Sequence, residues 1–156
     1  MSRITPCLWF KDQAEEAARF YTSILPDSRV DAVHRSPIDT PGGKTGSVML
    51  VEFTLAGQKF QALNGGMDAE QSLAVSMAFE AHDQEELDRV WDALLAGGKP
   101  IECGWLLDRY GLHWQIVPDM FGRFMSDPAK AKAAMSELLK MVKIDIATIE
   151  KAVANA

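Results

Sequence analysis

The chain has 156 residues, and Lys+Arg 16 against Asp+Glu 22 gives a formal charge of −6. That balance argues against nucleic acid as a partner, because phosphate binding needs clustered Lys and Arg. Apolar residues at 47% and charged residues at 24% exclude a disordered or fibrous chain and fit one with a sizeable core.

The two cysteines, Cys7 and Cys103, form no CxxC pair and stand beside eight Met. That usage points to a reducing compartment, so a cytoplasmic location is expected. The opening Met-Ser-Arg-Ile-Thr-Pro lacks the apolar run of a signal peptide. No stretch approaches the ~18 continuous apolar residues of a membrane span, so no membrane association is expected.

The first apolar run, Ile4 to Phe10, reads as a strand. Asp12 and Glu15 then make a capping-box-like pair, and Ala14, Ala17, Ala18, Phe20, Tyr21, Ile24 and Leu25 supply a helical apolar face that Pro26-Asp27 ends. Strands are expected over Ser28 to Arg35 and Ser47 to Leu55, separated by a loop rich in Pro and Gly. A turn at Ala56-Gly57-Gln58 leads into a partner strand, Lys59 to Asn64. The first half therefore reads βαβββ.

After a polar linker, Ala74 to Ala81 forms another strand and His82-Asp83 opens a second helix. Here the chain repeats itself: Glu15-Glu16 laid on Glu85-Glu86 aligns Arg19 with Arg89, Tyr21 with Trp91 and Ile24 with Leu94. Gly57 to Leu63 lies equally well on Gly111 to Val117. The strand signal between Pro100 and Cys103 is weak. Asp127, Pro128 and the stripe Ala131, Met135, Leu138, Leu139 and Val142 predict a C-terminal helix, with a short one after Asp145.

The fold class is thus α+β, two tandem βαβββ modules with a C-terminal helical tail. A domain over 1–126 holds module one (about 3–66) and module two (about 73–120), and helices over 127–156 pack on the domain or on a dimer partner. Strand parity puts Thr5, Cys7 and Trp9 on one face, together with Lys59, Gln61 and Leu63, then Ser76, Ala78 and Glu80, then His113, Gln115 and Val117. These are expected to line a cavity between the modules. Trp9, Trp105 and Phe53 could offer aromatic walls, whereas Trp91 and Trp114 suit packing between helix and sheet.

The opening Ile4-Thr5-Pro6-Cys7-Leu8-Trp9-Phe10, the Ala62-Leu63-Asn64-Gly65-Gly66 turn and the run from Cys103-Gly104-Trp105 to Trp114-Gln115-Ile116-Val117-Pro118 resemble the PhnB-like branch of the vicinal oxygen chelate superfamily. That superfamily includes glyoxalase I, bleomycin resistance proteins and extradiol dioxygenases. The resemblance runs over roughly residues 3 to 150. It implies the glyoxalase/bleomycin resistance fold, a homodimer, and the name 3-demethylubiquinone-9 3-methyltransferase, which the branch carries.

Methyl transfer of the usual kind needs a glycine-rich turn between a strand and a helix to hold S-adenosylmethionine. Gly42-Gly43, Gly65-Gly66 and Gly97-Gly98 read instead as turns or helix stops. The metal-ligand positions implied by the resemblance fall on Thr5, Gln61, Ser76 and Gln115. Two hydroxyls and two amides form a weak, neutral set for a dehydrated divalent cation, so neither metal nor other cofactor is expected.

His113 suits a structural or substrate-contacting imidazole better than a metal ligand or general base. Glu80 reads as a solvated strand end, and His34 and His82 as surface groups. No histidine is visibly placed to activate Cys7 as a nucleophile. The expectation is a small-molecule binder of unassigned reaction, its ligand aromatic or apolar, held by Thr5, Cys7, Trp9, Gln61, Ser76, Trp105, His113 and Gln115. The rivals are a divalent-metal-dependent lyase, isomerase or dioxygenase, and a sequestration protein that takes a cationic drug on an acidic wall.

Overall fold

The computed structural model describes residues 3–156. The chain divides into two compact units, Met1–Glu70 and Gln71–Ala156, each carrying one four-stranded sheet.

The first unit runs β1 (Cys7–Phe10), α1 (Ala14–Ile24), β2 (Arg29–Arg35), β3 (Val48–Leu55) and β4 (Gln58–Asn64). Its sheet has the order β1-β4-β3-β2, with β1 parallel to β4. The apolar run begins at Ile4, yet the strand begins at Cys7, because Pro6 has no N–H to add to the ladder. Its carbonyl still accepts from Gln61 N at 2.9 Å.

Helix α1 buries Ala14, Ala17, Ala18, Tyr21 and Ile24, and Val51, Phe53 and Ala62 of the sheet are buried with them. Each large side chain buried in this way stabilises the fold by roughly 1.5–3 kcal/mol. The expected Asp12 and Glu15 box does not form; the cap position is Gln13, without a side-chain bond. The free N–H of Ala14 instead goes to Asn64 Oδ1 at 2.8 Å, so the end of β4 caps the helix.

The second unit has β5 (Met77–Ala81), α2 (Gln84–Leu95), β6 (Lys99–Pro100), β7 (Trp105–Leu107) and β8 (His113–Pro118), in the order β5-β8-β7-β6. Here the side chains do cap the helix: Asp83 accepts from Glu86 N at 2.8 Å, and Glu86 Oε2 reaches back to His82 N, one residue before the cap, at 2.9 Å. The weak strand signal corresponds to β6, only two residues long. Phe10 pairs with Asn64 and Ala81 with Pro118 across parallel ladders, which places Thr5 and Ser76, and Gln61 and Gln115, at equivalent positions.

The tail adds α3 (Phe121–Phe124), α4 (Pro128–Leu138) and α5 (Ile146–Ala154). Asp127 caps α4 through Ala129 N and Lys130 N. Within the chain the predicted stripe is covered only in part: Ala131 and Leu138 are half-buried, Met135, Leu139 and Val142 remain 37%, 67% and 47% exposed, and Ala134 is the residue α4 buries. Docking falls instead to the link between α4 and α5. Gln84 donates to Ile144 O and accepts from Ile146 N, Cys103 N reaches Met141 O, and Gly104 N reaches Val142 O. Gly104 has φ +79°, and a Cβ there would lie 2.8 Å from Ile144 Cδ1 and from Ile116 O, so strand and tail both require a glycine. Among the described residues no helix is long and apolar enough to cross a membrane.

Asp108, only 3% exposed, organises the turn before β8 by accepting from Tyr110 N, Leu112 N and Trp114 Nε1 at 2.8, 3.0 and 2.9 Å. Asp108→Ala strands two of these donors in a buried setting and is expected to cost about 3 kcal/mol. Urea unfolding checks it, and a loss below about 1 kcal/mol contradicts the role.

Candidate ligand site

Each sheet lays one face against its helix and leaves the other free of its own elements, and strand parity decides which side chains belong to which. In β1, Leu8 and Phe10 are buried while Cys7 and Trp9 are not. In β4, Phe60, Ala62 and Asn64 are buried and Gln61 and Leu63 only partly. In β8, Trp114, Ile116 and Pro118 alternate with the half-buried His113, Gln115 and Val117. Ala78 and Glu80 are the exposed members of β5. The expected open faces are therefore present on each sheet.

Thr5 and Ser76 stand just ahead of β1 and β5 rather than within them. Thr5 nevertheless joins Gln61 in a 250 Å³ pocket lined also by Asp31, Glu52, Lys59 and Phe60. On the second sheet, Gln115 Nε2 donates to Ser76 Oγ at 2.8 Å, which fixes the amide and leaves its oxygen for another partner. Gln115 also pairs with Trp105 in the β7–β8 ladder. Trp105 lines a groove of 340 Å³ with Leu73, Ile101, Glu102 and Cys103. The structure thus brings Thr5 to Gln61, and Ser76 and Trp105 to Gln115.

Other expected residues take different environments. The Trp9 ring lies against Gly65, where any Cβ would collide with the indole, and its Nε1 donates to Met67 O at 2.9 Å. Phe53 is no wall: it is fully buried and stacks on Phe60 with ring centroids 5.6 Å apart on the helix side. The Cys7 thiol is pushed above its ordinary pKa by desolvation, which lowers its thiolate fraction and argues against a nucleophile. His113 Nδ1 is buried without a hydrogen-bond partner among the described residues. A ligand or a water could meet that need.

Glu52, Asp31 and His34 join the site without having been expected there, although the hairpin register contains them. Leu55 pairs with Gln58 across the two-residue turn Ala56-Gly57, whose φ values of +44° and +79° suit a tight hairpin. That register sets Glu52 opposite Gln61. Asp31 sits at a bulge between Val30 and Ala32 and accepts from Thr54 Oγ1 at 2.6 Å and Lys59 Nζ at 2.8 Å. Those bonds, with Lys59 first, hold its carboxyl below the usual range. His34 Nε2 lies 3.2 Å from Glu52 Oε2.

Among the described residues no three His, Cys, Asp or Glu side chains are close enough to hold a metal ion. The equivalent positions Thr5, Gln61, Ser76 and Gln115 carry no charge, so the donor set does not fit a tightly held divalent ion. Nor do the glycine pairs fit S-adenosylmethionine. A Cβ at Gly42 would collide with Asn64 O, one at Gly65 with Trp9 and one at Gly98 with Leu107 O. No helix starts after any pair in the strand–turn–helix manner that phosphate or nucleotide binding uses.

A family model described as 3-demethylubiquinone-9 3-methyltransferase matches residues 2–117. The chain belongs to this family. A PhnB protein from Bacillus cereus that carries the same methyltransferase name is 32% identical, with a TM-score of 0.67 over 75% of this chain and 99% of that one. A Pseudomonas aeruginosa protein, 20% identical over 73% of this chain and 95% of its own, shares the fold at a TM-score of 0.60. The fosfomycin resistance protein FosX from Listeria monocytogenes, solved with Mn(II) and sulfate, is 15% identical with a TM-score of 0.53 over 80% and 96% of the two chains. No curated protein matches. The matched segment ends at residue 117, so the tail helices of this PhnB-like chain lie outside it, short of the extent to residue 150 that the resemblance suggested.

Of the remaining histidines, His82 Nδ1 lies 2.8 Å from Asp119 Oδ2, and that bond, with the charges of Asp119, Glu86 and Asp83, raises its pKa. A raised folded-state pKa means that the pair's contribution is present below the unfolded value and is lost as pH rises through the folded one. An NMR titration of the His82 ring should show a midpoint above the ordinary histidine value that falls back in Asp119→Asn; the same midpoint in both proteins contradicts the pairing.

Proposed function

We propose that this PhnB-like chain binds a small organic molecule, aromatic or apolar in its body, through neutral hydrogen-bonding groups and without a tightly held metal. The observation that carries this reading is the polar set on the open faces: Gln61 with Thr5 on one sheet, and Gln115 oriented by Ser76 and paired with Trp105 on the other. An amide both donates and accepts, so it suits a ligand that carries a carbonyl, a hydroxyl or an N–H. The groove lined by Leu73, Ile101 and Trp105 suits the apolar part. His113, whose buried Nδ1 has no partner among the described residues, is a further contact for such a ligand. Cys7 and Trp9 belong to the same proposed surface as packing groups.

The protein is also proposed to act in the cytoplasm as a homodimer, which static light scattering at micromolar concentration tests: twice the monomer mass supports it and the monomer mass refutes it.

The binding reading is tested by NMR titration of the full chain with benzamide and 2-phenylethanol. At least one of Gln61→Ala and Gln115→Ala should weaken the better probe about three- to tenfold, the loss of one hydrogen bond, without changing the dispersion of the spectrum. Unchanged affinity in both variants overturns the assignment.

A further inference from the structure

We propose that the pocket on the first sheet recognises a positively charged nitrogen, an ammonium or amidinium on a small organic molecule, with Glu52 as its counter-ion. This rests on the binding function above and adds the charge class of the ligand.

Its two carboxylates are not equivalent. Asp31 is saturated: Arg29 Nε lies 2.9 Å from Oδ1, while Lys59 Nζ and Thr54 Oγ1 reach Oδ2 at 2.8 and 2.6 Å. Two cations, Arg29 and Lys59, thus flank this one carboxylate, and both are engaged with it. Among the described residues the Glu52 carboxylate has a single polar contact, His34 Nε2 at 3.2 Å, and that ring carries charge only when protonated. Its side chain is 43% exposed, so a ligand can reach the carboxylate without the cost of a deeply buried ion pair.

The groups beside Glu52 are of the matching kind. Gln61 stands directly opposite it in the ladder, and Thr5 lines the same 250 Å³ pocket. Neither the Gln61 amide nor the Thr5 hydroxyl makes a hydrogen bond among the described residues. The pocket thus offers a carboxylate oxygen, an amide oxygen and a hydroxyl oxygen at one place. An ammonium has three donors and no acceptor, and so can use all of them. An anion would have to draw Lys59 away from Asp31 and would still meet Glu52 beside it. A divalent metal would find one carboxylate and two neutral oxygens, too little to replace its water. A purely apolar group would find little wall, since Phe60 is only 8% exposed.

The probes are three isosteres titrated into the full chain and followed through backbone amides: phenethylamine, 2-phenylethanol and 3-phenylpropionate. Phenethylammonium should shift the Glu52 and Gln61 resonances and bind about fivefold more tightly than the alcohol, the value of a half-exposed ion pair, with the acid weakest. Glu52→Gln should erase that preference, while Glu150→Gln, which makes the same charge change in α5, should keep it. Equal affinity for amine and alcohol, a preference that survives Glu52→Gln, or its equal loss in Glu150→Gln overturns the charge assignment. If the alcohol still binds in those cases, the binding function stands without it. If none of the three shifts the amides of Gln61 or Gln115 at millimolar concentration, both fall.

Discussion

Period-two alternation in strands half-covered by a helix is the constraint on which the rest of the molecule depends. Tyr21 and Ile24 of α1 need an apolar surface, and Val51, Phe53 and Ala62 are the sheet residues buried with them. Once those face the helix, Glu52 and Gln61 must face the other way. Leu87, Val90 and Leu94 of α2 impose the same choice on Ile116 and Trp114, and so turn Gln115 and His113 outward. A slip of one residue would exchange the two sets entirely, at the cost of burying an amide and exposing the core. The site is therefore a by-product of core formation: its geometry is as fixed as the core, while its chemistry is free to vary.

Much of this is legible in the residues because alternation and helical periodicity are local signals. Gln61 and Gln115 follow from counting along a strand, and the duplicated Glu-Glu and Gly-Gln or Gly-Leu landmarks align the two modules on their own. What escapes a reading of the residues needs information from across the chain. The Asp12 cap rests on neighbouring sequence, whereas the N–H it would have satisfied is taken by Asn64, fifty residues away. The contacts that hold the tail to its own unit escape for a similar reason. The buried Ile144 lies in the link and Ile146 opens α5, neither on α4, and their register is set by Gln84 and Gly104.

Glu52 is the instructive omission. Its place opposite Gln61 follows from the length of one turn: two residues rather than three. Reading Gln58 as part of the turn shifts the cross-strand partner and hides the carboxylate. The bulge that presents Asp31 is a different case, since nothing in Arg29 to Arg35 marks where the extra residue falls.

The family description names a methyl transfer, and the close packing of the glycine pairs gives them structural work instead. The same separation of fold from chemistry applies to the positions that the resemblance assigns to metal ligands, where hydroxyls and amides stand at Thr5, Gln61, Ser76 and Gln115. The central claim, a neutral donor set that holds no divalent ion tightly, is tested most directly by elemental analysis of untagged protein purified without chelator, followed by thermal shifts with Ni²⁺, Zn²⁺, Mn²⁺ and Fe²⁺. The account predicts substoichiometric metal and no stabilisation by any of the ions. One metal per chain, with a melting temperature raised by that ion, would contradict it.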